Sequence, residues 1–124
     1  MNLEETTIQV SSRTFRLSFG ELENATVAFF FEDRMRLGTV AIAMPGSGEV
    51  AVGRSSVLLG GKYIMTTRAL AEKLAGKTGK MALVSLFTEL DETEALRIYA
   101  KLIDKAPLPA AVQESRRLPE SSIR

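Results

Sequence analysis

The segment Ala25-Thr26-Val27-Ala28-Phe29-Phe30-Phe31 is apolar at almost every position. In a strand, successive side chains point to opposite faces, so this segment needs cover on both sides. Residues 39–44 and 81–87 make the same demand, whereas only two stretches have helical composition. A sheet of six strands is about 29 Å wide, while two helices side by side cover about 20 Å. Two helices therefore cover one face, and the other must meet a folded-back second sheet or another molecule. For a chain of 124 residues dimerisation is the simpler solution.

The remaining elements follow from period and turn chemistry. Residues 6–10 and 14–19 read as strands joined at Ser11-Ser12-Arg13, with Phe15, Leu17 and Phe19 alternating against Thr14, Arg16 and Ser18. Glu32-Asp33-Arg34 reads as a turn. In residues 39–44 the large Val40, Ile42 and Met44 alternate with the small Thr39, Ala41 and Ala43, and Pro45-Gly46-Ser47-Gly48 ends the run. Residues 49–53 repeat the pattern, with Val50 and Val52 against Ala51 and Gly53, and Ser55 to Leu59 continues it. The small Ala41, Ala43 and Ala51 permit close approach on one face, and with Phe29, Phe30 and Phe31 they are candidates for a dimer face or the core.

A first helix is expected over residues 67–75, capped by Thr66, with Met65 stapled to Leu70 and Gly76 or Gly79 as the stop. Met81 to Phe87 forms the next strand. The second helix opens with Asp91 and Glu94 in capping-box spacing and carries Ala95, Ile98, Tyr99, Leu102 and Ile103 on one stripe, ending near Lys105. The expected fold is α+β: an antiparallel sheet of about six strands with two helices on one face, in the order β-β-β-β-β-α-β-α. Residues 1–105 form its single domain. From Ala106 the prolines, serines and scattered charges offer no packed face, so 106–124 is expected to be a flexible tail.

Little catalytic chemistry is available. The chain has no Cys, His or Trp, which removes thiolates, imidazoles and the usual zinc ligands. Two places imitate a phosphate-binding loop and fail: Gly76-Lys77-Thr78 would need glycine where Ala71 stands, and Gly61-Lys62 would need it at Ser56, with Tyr63 replacing the magnesium-binding hydroxyl. Glu89, Asp91, Glu92 and Glu94 read as the acidic first turn of a helix rather than a cation site. No enzyme, cofactor or metal is expected. The 16 Lys and Arg balance 15 Asp and Glu along the chain, with no basic stripe for nucleic acid. No stretch approaches the ~18 apolar residues of a spanning helix, and the acidic start Met1-Asn2-Leu3-Glu4-Glu5 lacks an apolar core, so a cytosolic location, or a nuclear one by diffusion, is expected.

Leu58-Leu59-Gly60 after a serine-rich strand, then Leu70-Ala71, Leu74-Ala75, Lys77-Thr78 and Lys80, then Val84-Ser85, resembles the signature stretch of the proteasome assembly chaperone four family. Val40-Ala41-Ile42-Ala43-Met44 resembles the preceding strand of that family, and the likeness spans roughly residues 37–88. The resemblance implies a chaperone that pairs with the related proteasome assembly chaperone three, or with itself, and binds proteasome α subunits while the α ring of the core particle forms. It also implies an antiparallel sheet of about six strands with two helices. The loop Gly61-Lys62-Tyr63-Ile64-Met65 is more apolar than expected of the family, and the tail runs past its usual end. Tyr63 and Ile64, with no role assignable from spacing, are the candidate client contacts. The alternative is a generic α+β dimeric scaffold for signalling or trafficking complexes, since fold alone does not choose between such roles.

Overall fold

The structure, a computed structural model, describes residues 1–46 and 54–109. The strand expected at 49–53, including Ala51, lies outside the described residues, as does the expected tail from residue 110 onward; its first residues do not stand apart from the body, since Ala106 is a core residue and Leu108 packs against the core. Eight elements run in the expected order: β1 (Glu4–Val10), β2 (Arg13–Glu21), β3 (Ala25–Glu32), β4 (Thr39–Met44), β5 (Arg54–Leu59), α1 (Ile64–Thr78), β6 (Met81–Phe87) and α2 (Glu92–Lys105). The strands form one six-stranded sheet in the order β1-β2-β3-β6-β4-β5.

The sheet is mixed rather than purely antiparallel. β6 inserts between β3 and β4, antiparallel to β4 but parallel to β3. The cause is the helical connection: α1 carries the chain back along the sheet, so β6 sets off in the same direction as β5, two places away. Its central place follows from composition, because Met81-Ala82-Leu83-Val84-Ser85-Leu86-Phe87 is apolar on both sides and a strand of that kind belongs in the interior of a sheet.

Register decides which face meets the helices. Leu17 lies opposite Phe30, and Phe30 opposite Leu86, while Ala41 lies opposite Val84 and Ala43 opposite Ala82. All of these side chains belong to the core beneath the helices. α1 covers β4, β5 and β6, α2 covers β1 and β2, and the helices pack on each other. Ala41 and Ala43 thus bring α1 close to the sheet instead of lining a dimer face, and Leu70, Ala71, Leu74 and Ala75 pack against them as fully buried residues. Over α2, Tyr99 is the keystone, with edge-on contacts to Phe15 at 5.9 Å and Phe30 at 5.7 Å between ring centroids.

The helix ends are satisfied by identifiable groups. Gly79, at φ 72°, returns its N–H to the Ala75 carbonyl at 2.8 Å and stops α1. Asp91 caps α2 by accepting from the Glu94 N–H at 2.8 Å, whereas the Glu94 carboxylate turns to Arg97 instead of closing the reciprocal half of the box. Lys77 of α1 donates to the Ile103 carbonyl at 2.7 Å and so serves the last turn of α2.

Candidate protein-binding surfaces

The face of the sheet away from the helices is divided. On β1 and β2 it is polar, with Thr7, Gln9 and Ser18 beside an Arg16 to Glu5 ion pair at 3.2 Å. On β3, β6 and β4 it is apolar: Val27 and Phe29 of β3, Leu83 of β6, and Val40, Ile42 and Met44 of β4 share it, since Ile42 lies opposite Leu83 and Val27 opposite Leu83, while β5 sets Ser56 opposite Ile42 and Arg54 opposite Met44. A β-bulge between β4 and β5 sets Leu59 against Val40, and Leu58 and Leu59 are 58% and 54% exposed. Val27, Phe29, Leu37, Val40 and Leu83 line a shallow hollow of about 100 Å³ on this face.

The Phe29-Phe30-Phe31 run is thereby split. Phe30 is a core residue under Tyr99, whereas Phe29 is half-buried on the open face. Phe31 lies on Phe29's side by register but is buried between Arg16 and Phe87 in the neighbouring strands. Val27, Leu83, Val40, Ile42, Leu58 and Leu59 complete the open apolar patch, and none of them was a candidate from sequence. The signal was present in the large-small alternation of residues 39–44, which separates Val40, Ile42 and Met44 from the alanines, but the pattern does not say which set faces the helices.

A second surface lies at the end of the sheet where β3 and β6 finish. There the loop into α1 and the loop into α2 form the two walls of an open groove of about 580 Å³, lined by residues 61–65 and 89–92. Tyr63 links the walls. It is 8% exposed, its ring joins the core, and its hydroxyl donates to the Leu90 carbonyl. Burial first, and then the carboxylates of Glu32, Glu89, Glu92 and Asp91, push its hydroxyl pKa up, so it stays a proton donor. Tyr63 also sits at the N-cap of α1 with φ 63°, a left-handed conformation unusual for an aromatic residue.

The helix consequently starts three residues before the expected Thr66 cap. Thr66 is buried within the first turn and its hydroxyl donates to the Glu92 carbonyl at 3.3 Å, while Met65 is 70% exposed and staples nothing. Of the two candidate contacts, Tyr63 has a structural role and Ile64 is accessible at 39%. Tyr63→Phe is expected to cost about 1 kcal/mol in denaturant unfolding, because the Leu90 carbonyl loses its donor. An unchanged midpoint would show that the hydroxyl bond adds nothing.

Glu32 holds the second wall in place. Its carboxylate accepts from Arg13 Nη2 at 2.8 and 3.0 Å, from the Thr88 hydroxyl at 2.6 Å and from the Glu89 N–H at 3.0 Å. Burial opposes its ionisation, yet the hydrogen bonds from Thr88, Glu89 and Arg13 prevail and lower its pKa. A carboxylate with a lowered folded pKa stabilises fully above the unfolded value of about 4.3 and loses that contribution as pH falls through the folded value. Melting temperature is therefore expected to fall more steeply between about pH 4.5 and 3 in the parent than in Glu32→Gln. Parallel acid limbs would refute that role. Among the described residues no three carboxylates converge as a cation site, and no helix is long and apolar enough to cross a membrane.

No protein-family model matches the sequence, and no curated protein matches it. A solved structure does: one chain of a chaperone complex for yeast 20S proteasome assembly superposes with a TM-score of 0.61 at 14% identity, over 84% of this chain and 90% of that one. At that identity the likeness is one of fold.

Proposed function

We propose that this protein is a non-catalytic proteasome assembly chaperone of the proteasome assembly chaperone four type, which pairs with a related chaperone or with itself and binds α subunits while the α ring forms. The observation that carries the reading is the shared fold with a chain of a yeast 20S proteasome assembly chaperone complex over most of both chains. The resemblance of residues 37–88 to that family supports it from the sequence side. The open apolar half of the sheet supports pairing, since a surface carrying Phe29, Ile42, Leu58 and Leu59 is costly to leave in water. The working unit is the expected domain of residues 1–105 together with Ala106, a core residue, and Leu108, which packs on the core, and the setting is the cytosol or the nucleus.

Purification of the tagged full chain from native extract tests the proposal. Co-purification of α-type proteasome subunits with a small partner chaperone is the expected result. Recovery of small GTPases or their regulators without proteasome subunits would move the protein to the class of generic scaffolds.

A further inference from the structure

The groove between the two helix starts has walls of different chemistry. One wall presents Ile64 and Met65, the latter 70% exposed. The other presents Glu89, Asp91 and Glu92 around Leu90. Asp91 is engaged in capping α2, but among the described residues neither Glu89 nor Glu92 is in an ion pair. Among the described residues that line the groove the single cation is Lys62, which lies over the Tyr63 ring at 5.3 Å from its centroid. Local charge is negative on a chain whose formal net charge is +1, so the groove selects cations against the trend of the whole molecule. The walls are also held before any ligand arrives: Tyr63 bonds to Leu90, Thr66 to Glu92, and Glu32 to Thr88 and Glu89. A groove fixed in this way loses little conformational freedom on binding.

We infer that this groove is a docking site for a segment of a partner protein in which a bulky apolar side chain is flanked by lysine or arginine. The apolar side chain packs on Ile64 and Met65, and the cations meet Glu89 and Glu92 across the groove. The inference rests on the reading that the chain acts by binding proteins. It assigns the contact to this end of the sheet, apart from the open apolar face.

The test uses the full-length protein and a fluorescein-labelled heptapeptide alternating lysine and leucine, followed by fluorescence anisotropy. Two control peptides carry glutamate for lysine or serine for leucine. The expected result is saturable binding of the lysine–leucine peptide, weakened by added salt, and markedly poorer binding of both controls. Glu89→Lys/Glu92→Lys should weaken it at least tenfold and Met65→Ser about fivefold, by the usual weight of close charge pairs and buried anchors. Glu89→Gln/Glu92→Gln, which removes charge without adding any, guards against misfolding in the reversed variant and should give an intermediate loss. Equal affinity for the glutamate peptide, or a lysine–leucine affinity untouched by both double variants, overturns the inference. Loss of peptide binding in the two double variants upholds the groove whatever becomes of α-subunit co-purification, and binding retained in both of them, or absent from the parent, overturns it even where co-purification persists.

Discussion

Phe30→Ala is expected to destabilise the protein by about 3–5 kcal/mol, whereas Phe29→Ala, one residue away, costs the isolated chain less than about 1 kcal/mol. The two rings differ only in the face of β3 they occupy. Phe30 is fully buried, stands opposite Leu17 and Leu86 in the register, and meets the edge of Tyr99, so its removal leaves a cavity that α2 closes only in part. Phe29 lies over the shallow hollow on the open face, and its truncation opens no enclosed void. In thermal melts the contrast is roughly 10–20 °C against a few degrees, at about 4 °C per kcal/mol for a domain of this size. Equal losses at the two positions would mean that the helices do not define the principal core.

That contrast also marks how far the sequence could be read. A period of two separates the faces of a strand, so Phe15, Leu17 and Phe19 were legible as one buried row, and a helical period made the α2 stripe from Ala95 to Ile103 legible as another. Periodicity carries no information about which strand lies beside which. The insertion of β6 next to β3, and with it the parallel pair, depends on the path of α1, and no residue in Met81–Phe87 encodes that neighbour. The same gap hid the assignment of Ala41 and Ala43 to the helix side, because a small-residue row suits a close helix as well as a close partner. At the groove the obstacle was local. An aromatic residue with positive φ at a helix start contradicts ordinary propensity, and Tyr63 is held there by contacts with Leu90, twenty-seven residues away. The Gly60-Gly61 pair before it was the one available hint that the chain turns sharply at that point, and Gly60 does adopt φ 105°.

The largest effect on association is expected from Ile42→Asp. Ile42 lies near the middle of the open apolar patch, opposite Leu83 on one side and Ser56 on the other. In the isolated chain its side chain is half-buried at the surface, so a carboxylate there stays hydrated and the fold survives. Once a second molecule covers the patch, the same carboxylate is stripped of water between Leu83 and Ser56, neither of which carries a charge, while Arg54, opposite Met44, is exposed on the edge strand β5. An uncompensated charge in such an interface costs about 3 kcal/mol or more, which is about a hundredfold in the dissociation constant. The parent protein is therefore expected to be dimeric in light scattering across a dilution series, with an apolar interface of at least about 1,000 Å². Ile42→Asp should be monomeric at concentrations where the parent is fully paired, with a melting temperature lowered only by the loss of dimer linkage. The matched control is Gln9→Asp, on the same face but on the polar edge strand β1, which should leave the dimer in place because that region is already hydrated and charged. A parent that stays a clean monomer at high concentration, or an Ile42→Asp protein that pairs as tightly as the parent, would remove the open face from the association surface.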